Sequence, residues 1–190
     1  MKKIYVIECN PKAHSSKEEY VKTYIEEAKK AGHEVRVVNV YDLNLGYLRA
    51  KDGELDFSFE LIGELKEAQE NLKWAEQLVF VYPIWYLAIP PILMDFITQV
   101  FGNIACELTE KGPKPLMKDK TAVIMQSYSM PYFCMKYFCK DVPMTWWKIT
   151  LTDWCGPKII KRFDFDMIDS VPEKRRQKWL KEIKKFVAKL

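Results

Sequence analysis

No CxxC pair, HExxH pair, GxSxG elbow or glycine-rich phosphate loop with a Lys occurs in this chain of 190 residues. Those absences remove the motif-borne routes to zinc hydrolysis, serine hydrolysis and nucleotide-triphosphate chemistry. Histidine is scarce, with only His14 and His33, near opposite ends of one expected helix, so a structural zinc site is not expected. The five cysteines (Cys9, Cys106, Cys134, Cys139, Cys155) are odd in number and unpaired in spacing. With no stretch that reads as a signal peptide, they point to free thiols and a reducing cytosol. No apolar run is long enough to span a bilayer. Net charge is a modest +4, which suits weak attraction to anions but is no nucleic-acid signature. Repeats, low-complexity tracts and linkers are absent, and 48% apolar residues suit a single domain over 1–190 with a sizeable core.

What is present is an alternation of short apolar runs and helical patterns. Strands are expected at Ile4–Ile7, Glu34–Val40, Leu78–Val81, Thr121–Met125 and Lys158–Phe165. Helices are expected after Ser16, over Leu61–Trp74 and Pro91–Phe101, after Pro143, and over Glu173–Leu190. Residues 41–60 read as an irregular connection, and Gly102–Lys120 as a loop broken by Gly112-Pro113 and Pro115. The repeating strand–helix order predicts a three-layer α/β sandwich around a five-stranded parallel sheet. The first, third and fourth strands are continuous apolar runs, as interior strands are. The second and fifth carry Arg36, Asn39, Lys161, Arg162 and Asp164, as edges do. That composition gives the flavodoxin-like order 2-1-3-4-5, whose ligand crevice lies between strands one and three.

Two loops meet at that crevice. The first runs from Glu8 to Ser16 and ends in Ser15 and Ser16 at a helix start, with Lys12 and His14 nearby. Such a terminus binds anions, although Glu18 and Glu19 also suit an ordinary capping box. The second follows the third strand, with Trp85 and Tyr86 ahead of the helix-initiating Pro90 and Pro91. Its aromatic faces and free amides suit a planar, electron-poor ring. Residues 127–156 hold Tyr128, Tyr132, Phe133, Tyr137, Phe138, Trp146, Trp147 and Trp154, a surplus that suits both a pocket cover and a subunit interface. The basic last helix reads as a solvated face, and Glu8 and Asp95 are carboxylates without an evident acid/base partner.

The segment Trp74–Phe101, with WA…LVFVYPIWY followed by a proline-initiated helix, resembles the NAD(P)H:quinone oxidoreductase branch of the flavodoxin-like proteins. Asn10-Pro11 with Ser15, Ala31–Val35 and Cys155–Lys158 are similar to its other landmarks, and Tyr82–Pro90 is the specific part. The resemblance implies a tightly bound flavin, FMN or FAD. The loop at Ser15, Ser16 and Lys17 would take its phosphate, and Asn10 and His14 of the same loop would be among the flavin-binding residues. Pro83, Ile84, Trp85, Tyr86 and Leu87 would hold the isoalloxazine, and a loop over Gln126–Met130, with Gln126, Ser127 and Tyr128, would meet the ring's other side. It further implies hydride passage from NAD(P)H through the flavin to a quinone-like acceptor by a ping-pong route, in a homodimer. Cys9-Asn10 stands where the branch has Gly-His, and Gln126–Ser129 where many members have a glycine turn. For the Tyr and His that handle protons in some relatives, this sequence offers only Tyr128 or Tyr132 as a candidate, and hydride transfer itself requires no catalytic side chain. Alternatives are a flavodoxin-type electron carrier, a regulatory flavoprotein subunit of a cation-efflux system, and a flavin-free binding module.

Overall fold

The computed structural model describes residues 1–11, 16–45, 50–51, 54–55 and 61–190, with the side chains of 16–18, 50–51, 54–55 and 103 outside that description. Five strands form one parallel sheet: β1 (Lys3–Glu8), β2 (Glu34–Asn39), β3 (Gln77–Pro83), β4 (Thr121–Tyr128) and β5 (Lys158–Asp166). Their spatial order is β2-β1-β3-β4-β5, as the strand compositions implied. Every residue of β3 is buried, whereas β2 exposes half of its positions. The β2 edge is sealed by Arg36, whose guanidinium sits 4.1 Å from the Trp74 ring centre and donates to Asn71 at 2.7 Å.

Alternation along the strands divides the core in two. Tyr5, Ile7, Leu78, Phe80, Tyr82 and Ile124 face the helices α2 (Gly63–Trp74) and α3 (Pro91–Ala105). Ile4, Val6, Val79, Val81, Val123 and Met125 face α1 (Ser16–Lys30) and a C-terminal helix over Glu173–Val187. Trp179, Leu180, Ile183 and Val187 of that last helix are buried, while its lysines lie outward. None of the described helices is long and apolar enough to cross a membrane.

The region 102–120 departs from the loop expected of it. α3 continues to Ala105 across a break at Gly102, whose φ of 28° and ψ of −129° are not helical. Cys106–Thr109 and Gly112–Pro115 then form a small antiparallel ribbon. The aromatic segment holds a π-helical turn (Cys134–Phe138), then the helix α4 (Val142–Trp147), which runs on as a π-helix over Lys148–Cys155. The Glu173–Val187 helix is α5 in this count. Gly156 ends the π-helix at φ 109°, and a Cβ there would stand 2.8 Å from the Lys118 backbone nitrogen. Only glycine meets both demands.

Candidate active site

β1 and β3 point their carboxyl ends into one crevice. β1 gives way to Cys9, whose amide donates to the Val81 carbonyl at 2.7 Å. Burial, reinforced by the Glu8 charge, pushes the Cys9 thiol up to about 12, so it is an inert core group. Asn10 is buried beside it. Its amide nitrogen donates to Glu8 Oε1 at 3.3 Å, and its backbone carbonyl accepts from the Asn39 side chain at 3.5 Å. Among the described residues, the buried Asn10 Oδ1 atom has no hydrogen-bond partner. Such an acceptor is open to a ligand, as five other buried side-chain atoms without a hydrogen-bond partner among the described residues would be. His14 and Ser15 lie outside the described residues. α1 begins at Ser16, as expected, although the Ser16 and Lys17 side chains are outside the description too.

The loop after β3 is held on both flanks. The Ile84 amide donates to Ser127 O at 2.8 Å, tying it to β4. Trp85 and Ala88 exchange two backbone bonds, at 3.1 and 2.8 Å, around a two-residue turn. The central residues, Tyr86 and Leu87, have φ of 48° and 62° without being glycine. Each such residue costs about 1 kcal/mol or more, and strain of this kind concentrates at functional sites. Among the described residues, the Tyr86 and Leu87 amides donate to no backbone carbonyl. Trp85 is 42% exposed and Tyr86 fully exposed, so neither is a core aromatic. Pro83 is buried, and Ile84 and Leu87 are partly buried.

The third wall requires a correction. β4 runs on to Tyr128, so the loop expected over 126–130 starts only at Ser129, and Gln126 and Ser127 are buried strand residues. Parallel pairing places Tyr82, Gln126 and Asp164 abreast on β3, β4 and β5. The Trp147 indole donates to Tyr82 Oη (2.6 Å), Tyr82 to Gln126 Oε1 (2.7 Å), and the Gln126 amide to Asp164 Oδ1 (2.8 Å). Arg162 joins Asp164 to Asp141, at 2.7 and 2.5 Å. Gln126 therefore spends its side chain inside the protein. Tyr128 is 4% exposed and donates its hydroxyl to Asp164 at 3.0 Å. Burial and the Asp164 carboxylate hold that phenol far above its ordinary pKa, so it keeps its proton. Tyr132, four residues beyond the end of β4, is 37% exposed.

Sequence reasoning missed Arg162, Asp164 and Asp166 as parts of this wall. The signal was their spacing of two in KRFDFD, which puts all three on one face of a strand whose faces should both be covered. The second histidine, His33, lies at the opposite end of the sheet, where its Nδ1 accepts from the Lys2 amide at 3.1 Å.

The arrangement fits a flavin. Among the described residues, an acceptor without a partner, two amides that donate to no backbone carbonyl and exposed aromatic faces follow the carboxyl ends of the adjacent strands β1 and β3, and each matches a demand of a polar-edged planar ring.

Comparison with known proteins bears on the fold and the family. The family described as "flavodoxin-like fold" matches residues 2–190. An FMN-dependent NADH:quinone oxidoreductase of Clostridium beijerinckii is 30% identical over 145 residues, which cover 70% of this chain and 71% of that one. A similarly named protein of Listeria monocytogenes is 44% identical over 57 residues, 30% of this chain. That match spans only 27% of the Listeria protein's length. The structure of an FMN-dependent NADH-azoreductase from Bacillus anthracis, in complex with FMN, superposes with a TM-score of 0.78 at 19% identity, covering 100% of this chain and 99% of that one. The chain belongs to the flavodoxin-like fold family, in the branch that includes the Clostridium quinone oxidoreductase.

Proposed function

We propose that the chain is a flavin-dependent NAD(P)H oxidoreductase that delivers two electrons to a quinone-like acceptor, with FMN as its flavin. The observation that carries this reading is the strained turn at Tyr86 and Leu87, held by the Trp85–Ala88 bonds beside the orphaned Asn10. The C. beijerinckii and L. monocytogenes relatives, named FMN-dependent NADH:quinone oxidoreductases, support the same cofactor and reaction. A bound flavin supplies the hydride chemistry. The chain's own residues bind and orient. Tyr86 and Leu87 offer amides to the ring edge, Trp85 offers a face, and Ser15, Ser16 and Lys17 are the residues for its phosphate. Tyr128 keeps its proton inside the wall, which leaves the Tyr132 hydroxyl as the phenol able to meet a substrate at the mouth.

A homodimer belongs to this reading. Phe133, Tyr137 and Phe138 form an exposed cluster, with Tyr137 70% and Phe138 79% exposed. A patch of that kind calls for a partner, and a two-fold pair is the commonest answer. The five free cysteines favour a cytosolic home.

Titration of apo protein with FMN and with FAD, followed by flavin fluorescence, tests the reading. We expect saturation with FMN at one per chain, NADH-dependent reduction of menadione, and a far greater loss of affinity from Ser15→Asp than from Ser15→Ala. No saturable change with either flavin overturns it.

A further inference from the structure

β5 ends in Asp166, a carboxylate that is almost wholly buried. Its Oδ2 accepts from the backbone N–H of Tyr132 at 2.9 Å. Arg175, in the first turn of α5, donates to both oxygens, at 2.6 and 2.8 Å. Three further bonds join the same two chain turns: Ile168 N–H to Tyr128 O (3.2 Å), Met167 N–H to Met130 O (3.4 Å), and Ser129 Oγ to Asp169 Oδ2 (2.5 Å). Met167 adopts a φ of 51° to allow this. The turn after β5 thus clasps the turn after β4.

Asp166 differs from the other clasps in two respects. It reaches past the turn to Tyr132, the last residue held, and its carboxylate is 3% exposed, whereas the other carboxylate clasp, Ser129 to Asp169, is exposed. Water cannot easily replace a carboxylate in that position. The Tyr132 ring, 37% exposed on the segment that follows β4, has the Arg162 guanidinium 5.9 Å and Lys136 Nζ 5.7 Å from its centre. Its location follows from where its own amide is fixed.

We propose that Asp166 is a positioning residue of the substrate pocket: by anchoring the Tyr132 amide it sets where the Tyr132 ring stands beside the crevice. The inference rests on the oxidoreductase reading. Arg175 donates to both carboxylate oxygens and so orients the group. A ring displaced by about 1 Å is enough to cost on the order of tenfold or more in turnover of a pocket that depends on alignment.

Three variants of the full chain test it. Asp166→Ala is expected to raise KM for NADH and for menadione by about fivefold while the FMN Kd stays within about twofold. Asp166→Asn, which keeps an oxygen for the amide, is expected to recover most of that loss. Arg175→Gln, which loosens the carboxylate without removing it, is expected to lower the thermal midpoint while raising KM by no more than about twofold. If Arg175→Gln and Asp166→Ala change KM alike, the role is general stability and the proposal fails. Amide hydrogen exchange gives a readout that needs no flavin. In Asp166→Ala, the Tyr132 amide is expected to exchange at least about tenfold faster while the Ile168 amide is unchanged. Unchanged protection at Tyr132 overturns the proposal. Absence of flavin binding by the wild type overturns the oxidoreductase reading instead.

Discussion

The indole nitrogen of Trp147 and the hydroxyl of Tyr82 are joined by a 2.6 Å hydrogen bond in the fully buried centre of the protein. The bond connects the aromatic segment to the strand that carries the candidate cofactor loop. Tyr82→Phe would strand the Trp147 N–H and the Gln126 carbonyl together, at about 1–3 kcal/mol for each buried unpaired group. We expect a loss of about 2 kcal/mol or more in urea unfolding. A change below about 0.5 kcal/mol, the range of ordinary surface substitutions, contradicts the network.

Thiol reactivity should divide the cysteines into two classes. Cys9 and Cys155 are buried, and burial raises both to about 12. Cys106, Cys134 and Cys139 are partly exposed. In native protein at pH 8, a disulfide reagent such as DTNB should titrate Cys106, Cys134 and Cys139 quickly, with Cys9 and Cys155 reacting only on unfolding. Fast reaction of Cys9 would mean the crevice opens far more than the structure allows.

Charge in the aromatic patch should separate chains. Tyr137→Glu or Phe138→Glu is expected to shift sedimentation from dimer toward monomer at micromolar concentration and to lower menadione turnover with it. A monomeric wild type with full turnover would show that the pocket is built within one chain.

Burial first, then the N-terminal ammonium and Lys2, lower the pKa of His33 below its ordinary 6.5. The unfolded chain therefore binds more protons below that value, and stability falls as pH drops through 6.5 toward the folded pKa. His33→Gln should flatten the stability profile over that window in urea titrations. The effect is modest because the ring is partly solvated.

Much of this was legible in the sequence. Strands β1, β3 and β4 announced themselves as continuous apolar runs, and the charges of β2 and β5 marked them as edges. The crevice and the exposure of Trp85 and Tyr86 followed from prolines and strand ends. Other features were not legible, for definite reasons. Pro113 and Pro115 read as breakers because proline lacks an N–H, yet a free-standing two-stranded ribbon has outward positions that need no donor. β4 seemed to stop at Met125 because Gln126 and Ser127 are polar. The Gln126 side chain finds its partners on β3 and β5, tens of residues away. The Asp166 bond to Tyr132 joins positions 34 apart, and no local pattern encodes such a pair.

The row Tyr82–Gln126–Asp164 has a consequence for how the sheet assembles. An apolar strand covered on both faces can slide along its neighbour with little change in what it buries, so its alignment is weakly specified. Only one alignment sets these three polar side chains side by side. Any slip leaves a buried hydroxyl, amide or carboxylate without its mate, so the row works as a notch that lets the interior strands lock in a single offset.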